Sequence, residues 1–207
     1  MRIIIFGGTG SVGQLLVQQA IAEDYLVTAF VRNPAKVSFK HQNLILAQGD
    51  VMDASSVDKA IPGHDVVFCV LGAGSKGIIR AEGTRNIIRA MEKSGVKRLI
   101  CQSSLGVGDS QGNLNFFWRH IMFGILLRKA YADHEQQEKY VMESNLNWTI
   151  TRPAAFTDGP RTQNYRHGFD ANAKGITLKI SRADVADFLL RQVTSNTYLK
   201  KTPGQSY

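Results

Sequence analysis

Cysteine is nearly absent: the 207 residues hold two, Cys69 and Cys101, each inside an apolar run. With no C-x-x-C and no Cys/His ligand spacing, a disulfide framework and a structural metal site are both excluded as expectations. Long hydrophobic runs are missing as well. Ile3-Ile4-Ile5-Phe6 is too short for a signal-peptide core and has no cleavage site behind it. The longest greasy stretch, Leu114 to Leu127, is interrupted by Arg119 and His120 and falls short of a membrane span. A cytoplasmic location follows as the expectation. There is no repeat, low-complexity tract or linker, so residues 1–207 are expected to form one domain, long enough to bury its own core.

Acidic residues are the scarcer charge. Lys and Arg number 25 against 17 Asp and Glu, a net charge of +8, which favours an anionic partner. Nucleic acid is not expected, because no helix-turn-helix cue, zinc finger or RNP-type strand is present and no basic run exceeds Lys200-Lys201. Phe116, Phe117, Trp118, Arg119 and the Ile/Leu stretch behind them have the make-up of an interfacial helix, compatible with peripheral membrane contact.

Short β-rich runs alternate with amphipathic ones. Ile3–Phe6, Leu26–Val31, Leu44–Ala47, Val66–Leu71, Arg98–Cys101 and Trp148–Thr151 read as parallel strands buried on both faces. Val12–Ala22, Ala54–Ala60, Ile78–Lys93 and Tyr131–Glu143 read as helices, the second capped by Asp53 and the third stopped at Ser94-Gly95. Such spacing predicts right-handed βαβ units in an α/β, doubly wound, mainly parallel sheet. After Cys101 come a glycine-rich loop, a helix-like segment Asn115–Arg128, a loop Asp158–Gly175, a late strand Ile176–Ile180 and a last helix from Ser181 to Val193. Substrate-side loops are expected at about 104–131 and 154–176, over the carboxyl ends of the strands.

The strongest chemical signal is Phe6-Gly7-Gly8-Thr9-Gly10-Ser11-Val12-Gly13, directly after the first strand and opening the first helix. Glycines there permit a tight turn, let backbone approach a diphosphate and let the helix pack closely, while helix-start N–H groups hold the anion. Where an NAD site usually carries an acid at the end of the second strand, this chain has Arg32, with Lys36 a turn further on. A guanidinium suits a 2′-phosphate, so NADP (NADPH) is the expected cofactor. After the third strand Asp50 can accept from the adenine amino group with the Val51 backbone lining the base, and after the fourth Leu71-Gly72-Ala73-Gly74 offers small residues where the dinucleotide passes, ordinary turn chemistry being the alternative for both.

These motifs, with Glu82-Gly83-Thr84-Arg85-Asn86, Cys101-Gln102-Ser103-Ser104 and Thr151-Arg152-Pro153, resemble the atypical short-chain dehydrogenase/reductases of the NmrA-like group, and within it the biliverdin-IXβ reductase or flavin reductase branch. The resemblance implies a single Rossmann-type domain, usually monomeric, that passes hydride from NADPH to a flavin (FMN or FAD), a quinone or a linear tetrapyrrole. It places cofactor contacts on Gly7, Thr9, Gly10, Ser11, Val12, Gly13, Arg32, Ala35, Lys36, Asp50, Val51, Leu71, Gly72 and Ser103, and catalytic roles on Ser104 and His134.

Two departures stand out. Ala130 and His134 occupy the places of the usual Tyr-x-x-x-Lys pair, with Tyr131 one residue out of register and Tyr140 elsewhere on the helix. Ala155 stands where the tetrapyrrole reductases have a further histidine. Lack of a carbinol acid disfavours alcohol or sugar chemistry, whereas a flavin asks mainly for stacking on nicotinamide, with Phe156, Phe116, Phe117 and Trp118 available as an aromatic wall. The alternative is an NADP(H)-binding redox sensor without turnover.

Overall fold

The computed structural model of the protein describes residues 1–37, 39–74 and 77–207. Its six principal strands are β1 (Arg2–Phe6), β2 (Leu26–Val31), β3 (Leu44–Gln48), β4 (Val66–Cys69), β5 (Arg98–Gln102) and β6 (Asn147–Pro153). Four short ones follow: β7 (Ala155–Thr157), β8 (Arg166–His167), β9 (Lys179–Ser181) and β10 (Gly204–Ser206). The helices are α1 (Ser11–Ala22), α2 (Ala54–Ala60), α3 (Ile79–Ser94), α4 (Arg128–Glu143) and α5 (Arg182–Arg191). Eight strands form one sheet in the order β3-β2-β1-β4-β5-β6-β10-β8, parallel except where β8 runs against β10.

Strand β1 shows why its sequence is apolar without alternation. Ile3 and Ile5 enter the core shared with α1 and α5, while Ile4 and Phe6 enter the opposite core, shared with α2 and α3. All four are fully buried, as a central parallel strand with helices on both faces requires. Strand β3 departs from that expectation because it is the sheet's edge, and Ile45 and Leu46 remain exposed. Between β1 and β4 the strand order reverses, which opens a crevice beyond their carboxyl ends. At the sheet centre Cys69 of β4 and Cys101 of β5 are register partners, both free thiols and fully buried.

Helix ends follow local chemistry. Asp53 accepts from the Ser55 N–H at 3.0 Å, Gly95 ends α3 in the left-handed region, and Ser181 Oγ accepts from the Asp184 N–H at 3.0 Å. The second half of the chain departs most from expectation. Segment 115–128 is not an α-helix: Phe117–Leu126 is π-helical, with the Leu127 N–H donating to the Met122 carbonyl at 2.7 Å. The late strand is Lys179–Ser181, paired with Ala155–Thr157 outside the main sheet. Strand β10 extends the sheet beside β6 and was invisible to pattern reading, since Gly-Gln-Ser has no apolar side chain to betray it.

Loop 158–168 is pinned rather than free. Asp184, fully buried, accepts from the N–H groups of Thr162 (2.7 Å) and Gln163 (2.9 Å) and from the hydroxyls of Thr162 and Tyr207 (2.7 Å each). These bonds hold Gln163 at φ 60°, a conformation that otherwise favours glycine. Neighbouring Asp187 takes Arg161, Gln163, Tyr165 and Arg191, which gives two of the surplus cations a structural partner.

Candidate active site

The glycine loop is built by backbone collision limits. Gly7 has φ 92°, and a Cβ there would sit 2.4 Å from the Val70 carbonyl oxygen. At Gly13 a Cβ would sit 2.1 Å from the Gly7 carbonyl oxygen, so α1 starts hard against the turn. Gly10 donates to that same carbonyl at 2.9 Å and caps α1 without a side chain, leaving the first N–H groups of the helix for a ligand. Gly10, Ser11 and Val12 line one end of a cleft of ≈ 240 Å³. Val70, Leu71 and Gly72, which leave the sheet earlier than the run Val66–Leu71 suggests, form its floor; a Cβ on Gly72 would meet no atom within 4 Å. Open N–H groups at the helix start and side-chain-free glycines that let backbone come close fit a dinucleotide diphosphate.

Arg32 and Lys36 both lie exposed just past β2. Lys36 ends a 3-10 turn, Pro34–Lys36, that Asn33 caps by accepting from the Ala35 N–H at 3.0 Å. Asp50 is partly committed, its Oδ1 accepting from the Met52 N–H at 2.9 Å. The Glu82–Asn86 motif holds this end together: Asn86 donates to the Val51 carbonyl at 2.9 Å, and Gly83 lets α3 approach Leu71 and Val51 so closely that a Cβ would fall 2.9 Å from each.

At the other end of the cleft are Ser103, Ser104 and His134. The imidazole engages Ser103, not Ser104: Nδ1 lies 3.4 Å from Ser103 Oγ and 3.3 Å from Gln137 Oε1, while Ser104 Oγ donates to the Leu105 carbonyl at 3.3 Å. Gln137 continues inward, donating to Thr84 Oγ1 at 3.0 Å, which in turn lies 3.1 Å from Cys69 Sγ. Burial, reinforced by the nearby Arg80 charge, pushes the His134 pKa down to about 4. It is therefore a neutral group at physiological pH, not the near-neutral titrating acid that its unperturbed pKa suggests.

Among the described residues lining this cleft Arg80 carries the one formal charge, and Asp133 pairs with it at 3.3 Å. Asp133 also accepts from the Arg80 and Ala81 N–H groups, at 3.2 and 3.0 Å, which caps α3 from a distance. Neither Tyr131 nor Tyr140 lines the cleft: the first packs on Phe123, the second under Arg85. The aromatic wall differs from the sequence expectation. Trp118, Phe123 and Phe156 line it with Leu114 and Leu127, whereas Phe116 and Phe117 face outward, 74% and 53% exposed. Of Thr151-Arg152-Pro153, Arg152 is scaffold, buried on Glu138 (2.6 Å) and Asp109, while Pro153 lines the cleft.

One residue escaped the sequence reading. Arg182 Nε donates to Ser11 Oγ at 3.2 Å, and its guanidinium lies 5.5 Å from the Phe156 ring centroid while pairing with Asp158 at 2.7 Å. It stands beside the glycine loop although 171 positions separate it from Ser11. Only the packing of α5 against α1 brings them together.

Fold and cleft define a Rossmann-type NAD(P)H-binding oxidoreductase architecture. The chain belongs to the NAD(P)H-binding family, which matches it over residues 7–196. It is 30% identical to the UPF0659 protein YMR090W of Saccharomyces cerevisiae, over 98% of this chain and 91% of that one. Among solved structures, the oxidoreductase ylbE of Lactococcus lactis superposes with a TM-score of 0.85 at 25% identity, covering 100% of this chain and 90% of its own. ChuY, an anaerobillin reductase of Escherichia coli O157:H7, gives 0.82 at 25% identity, covering 100% and 97%. The resemblance to atypical short-chain reductases of the biliverdin-reductase type is thus met in three dimensions.

Proposed function

We propose that the protein is an NADPH-dependent reductase passing hydride to a flavin or a related planar acceptor such as a quinone or tetrapyrrole. The observation that carries this is one cleft lined from the first turn of α1 to Ser103, Ser104 and His134, walled by Trp118, Phe123 and Phe156, with no tyrosine–lysine acid pair among the described lining residues. NADPH, when bound, supplies the hydride. Gly7 to Gly13 would take the diphosphate, with Arg182 beside it. Arg32 and Lys36, with the Ala35 backbone, would take the 2′-phosphate. Asp50, Val51, Leu71 and Gly72 line the way between. Ser103 and neutral His134 hold each other at the nicotinamide end, leaving His134 Nε2 as that ring's remaining polar atom. Ser104 Oγ is placed to orient the acceptor or a water, and the apolar wall holds a flat ring while excluding solvent. Hydride taken at one nitrogen of a flavin would leave the negative charge on a second ring nitrogen, which can take its proton from water, so no buried acid is needed. Two free thiols fit a cytoplasmic protein, and we read it as a monomer.

NADPH and NADH oxidation measured against a panel of FMN, quinones and biliverdin tests the proposal. Turnover with NADPH is expected, and Arg32→Ala should lower kcat/KM for NADPH by about 10- to 100-fold while sparing NADH. A panel giving no oxidation above background overturns it. Cofactor binding retained under those conditions would mark the redox-sensor alternative.

A further inference from the structure

The π-helical segment Phe117–Leu126 has two apolar faces where a surface element ordinarily has one. Because its turns repeat every four to five residues, Trp118, Phe123 and Leu127 point into the cleft while Phe117, Ile121 and Leu126 share the outer side with Phe116 and Ile125. Among the described residues none covers that outer face: Phe116 is 74%, Ile125 68% and Leu126 62% exposed. Exposed aliphatic and aromatic side chains grouped in this way mark an interaction surface.

Charge selects the partner. From Ser110 to Ala132 the sequence contains no Asp or Glu, but it contains Arg119, Arg128 and Lys129. All three are exposed, and none forms an ion pair among the described residues. Beside the apolar face, Arg119, His120 and Arg128 line a shallow groove with Tyr131. Cations next to exposed apolar groups match an anionic lipid surface, where phosphates meet the guanidinium groups and the side chains enter the acyl boundary. A second copy of the chain is disfavoured, because a two-fold contact through this face would set three uncompensated cations against three more. No helix among the described residues is long and apolar enough to cross a membrane, so the contact is peripheral.

We infer that segment 116–129 docks the protein on an anionic bilayer through its outward apolar face. The inference does not depend on the acceptor proposed above.

Co-sedimentation with phosphatidylcholine vesicles, with and without phosphatidylglycerol and at low and high salt, tests it. The protein should bind the phosphatidylglycerol vesicles, weakly bind phosphatidylcholine alone, and be released as salt rises. Ile125→Ser with Leu126→Ser should weaken binding by about tenfold or more, leaving oxidation of NADPH by a water-soluble acceptor unchanged. Arg128→Ser with Lys129→Ser should remove the preference for phosphatidylglycerol. Failure to bind either vesicle, or equal binding by wild type and both double variants, overturns the inference. So does a dimer in sedimentation velocity that Ile125→Ser with Leu126→Ser dissociates, which would assign the face to a second copy.

Discussion

His134 is partly buried where the cleft meets Ser103 and Gln137, and that position keeps its ring neutral at physiological pH. Its folded pKa of about 4 lies below the ~6.5 of an unfolded chain. Between those values the unfolded chain binds a proton that the folded one refuses. This contribution to stability is therefore complete above about pH 6.5 and is lost as pH falls toward 4. His134→Gln, which keeps a polar group without titrating, should flatten that slope by about one proton's worth; urea midpoints across the window measure it, and an unchanged slope refutes the assignment. By the same reasoning His134 contributes no limb near pH 6.5 to a pH–rate profile. At this scale the sequence spoke unevenly. Glycine spacing located the cofactor loop because backbone collisions restrict those positions to one residue type, as the Cβ limits at Gly7 and Gly13 show. It could not pair His134 with Ser103 rather than Ser104, since both serines lie past the end of β5, where the path of the chain is set by contacts such as the Ser103 N–H donating to the Thr151 carbonyl. Nor could it find Arg182, whose proximity to Ser11 is purely tertiary.

Among the elements, α5 does more than cover the sheet. Its first two turns carry Asp184 and Asp187, which gather loop 158–168 through backbone and side-chain hydrogen bonds. Burial alone would raise the Asp184 pKa, but hydrogen bonds from Thr162, Gln163 and Tyr207 hold it below the usual carboxylate range. The carboxylate thus stabilises the fold at neutral pH and ceases to do so as acid protonates it. Asp184→Asn places an amide against converging donors and leaves Gln163 in a strained conformation without support. We expect a loss of about 3 kcal/mol in urea unfolding, together with faster tryptic cleavage at Arg161 and Arg166. Unchanged proteolysis would show that the loop is held elsewhere. Early elements were legible because each is local: an apolar strand, a turn, a capped helix. The π-helix was not, since its apolar residues at mixed spacings of four and five fit an α-helical period nearly as well. Likewise β8 and β10 are too short and polar to announce themselves, and they exist because β6 offers a free edge.

Taken whole, the molecule is two cores divided by one sheet, with the cofactor crevice where the strand order reverses. That architecture was readable from the alternation of strands and helices, and the positive surplus has become more specific. Arg152, Arg161 and Arg191 are bound to carboxylates, Arg182 stands beside the glycine loop, Arg32 and Lys36 lie exposed past β2, and Arg119, Arg128 and Lys129 are exposed near the outward apolar face. The in-register pair Cys69 and Cys101 lies on the two strands farthest from any fraying end, and neither sulfur is reachable while the sheet is intact. A thiol reagent added to the native protein should therefore label both at one common rate, set by opening of the whole domain and slowed further by saturating NADPH. Mass spectrometry that caught singly labelled chains accumulating would reveal a partial opening of the sheet instead. The two sulfurs are in effect an internal counter of global unfolding events, readable in dilute buffer without denaturant.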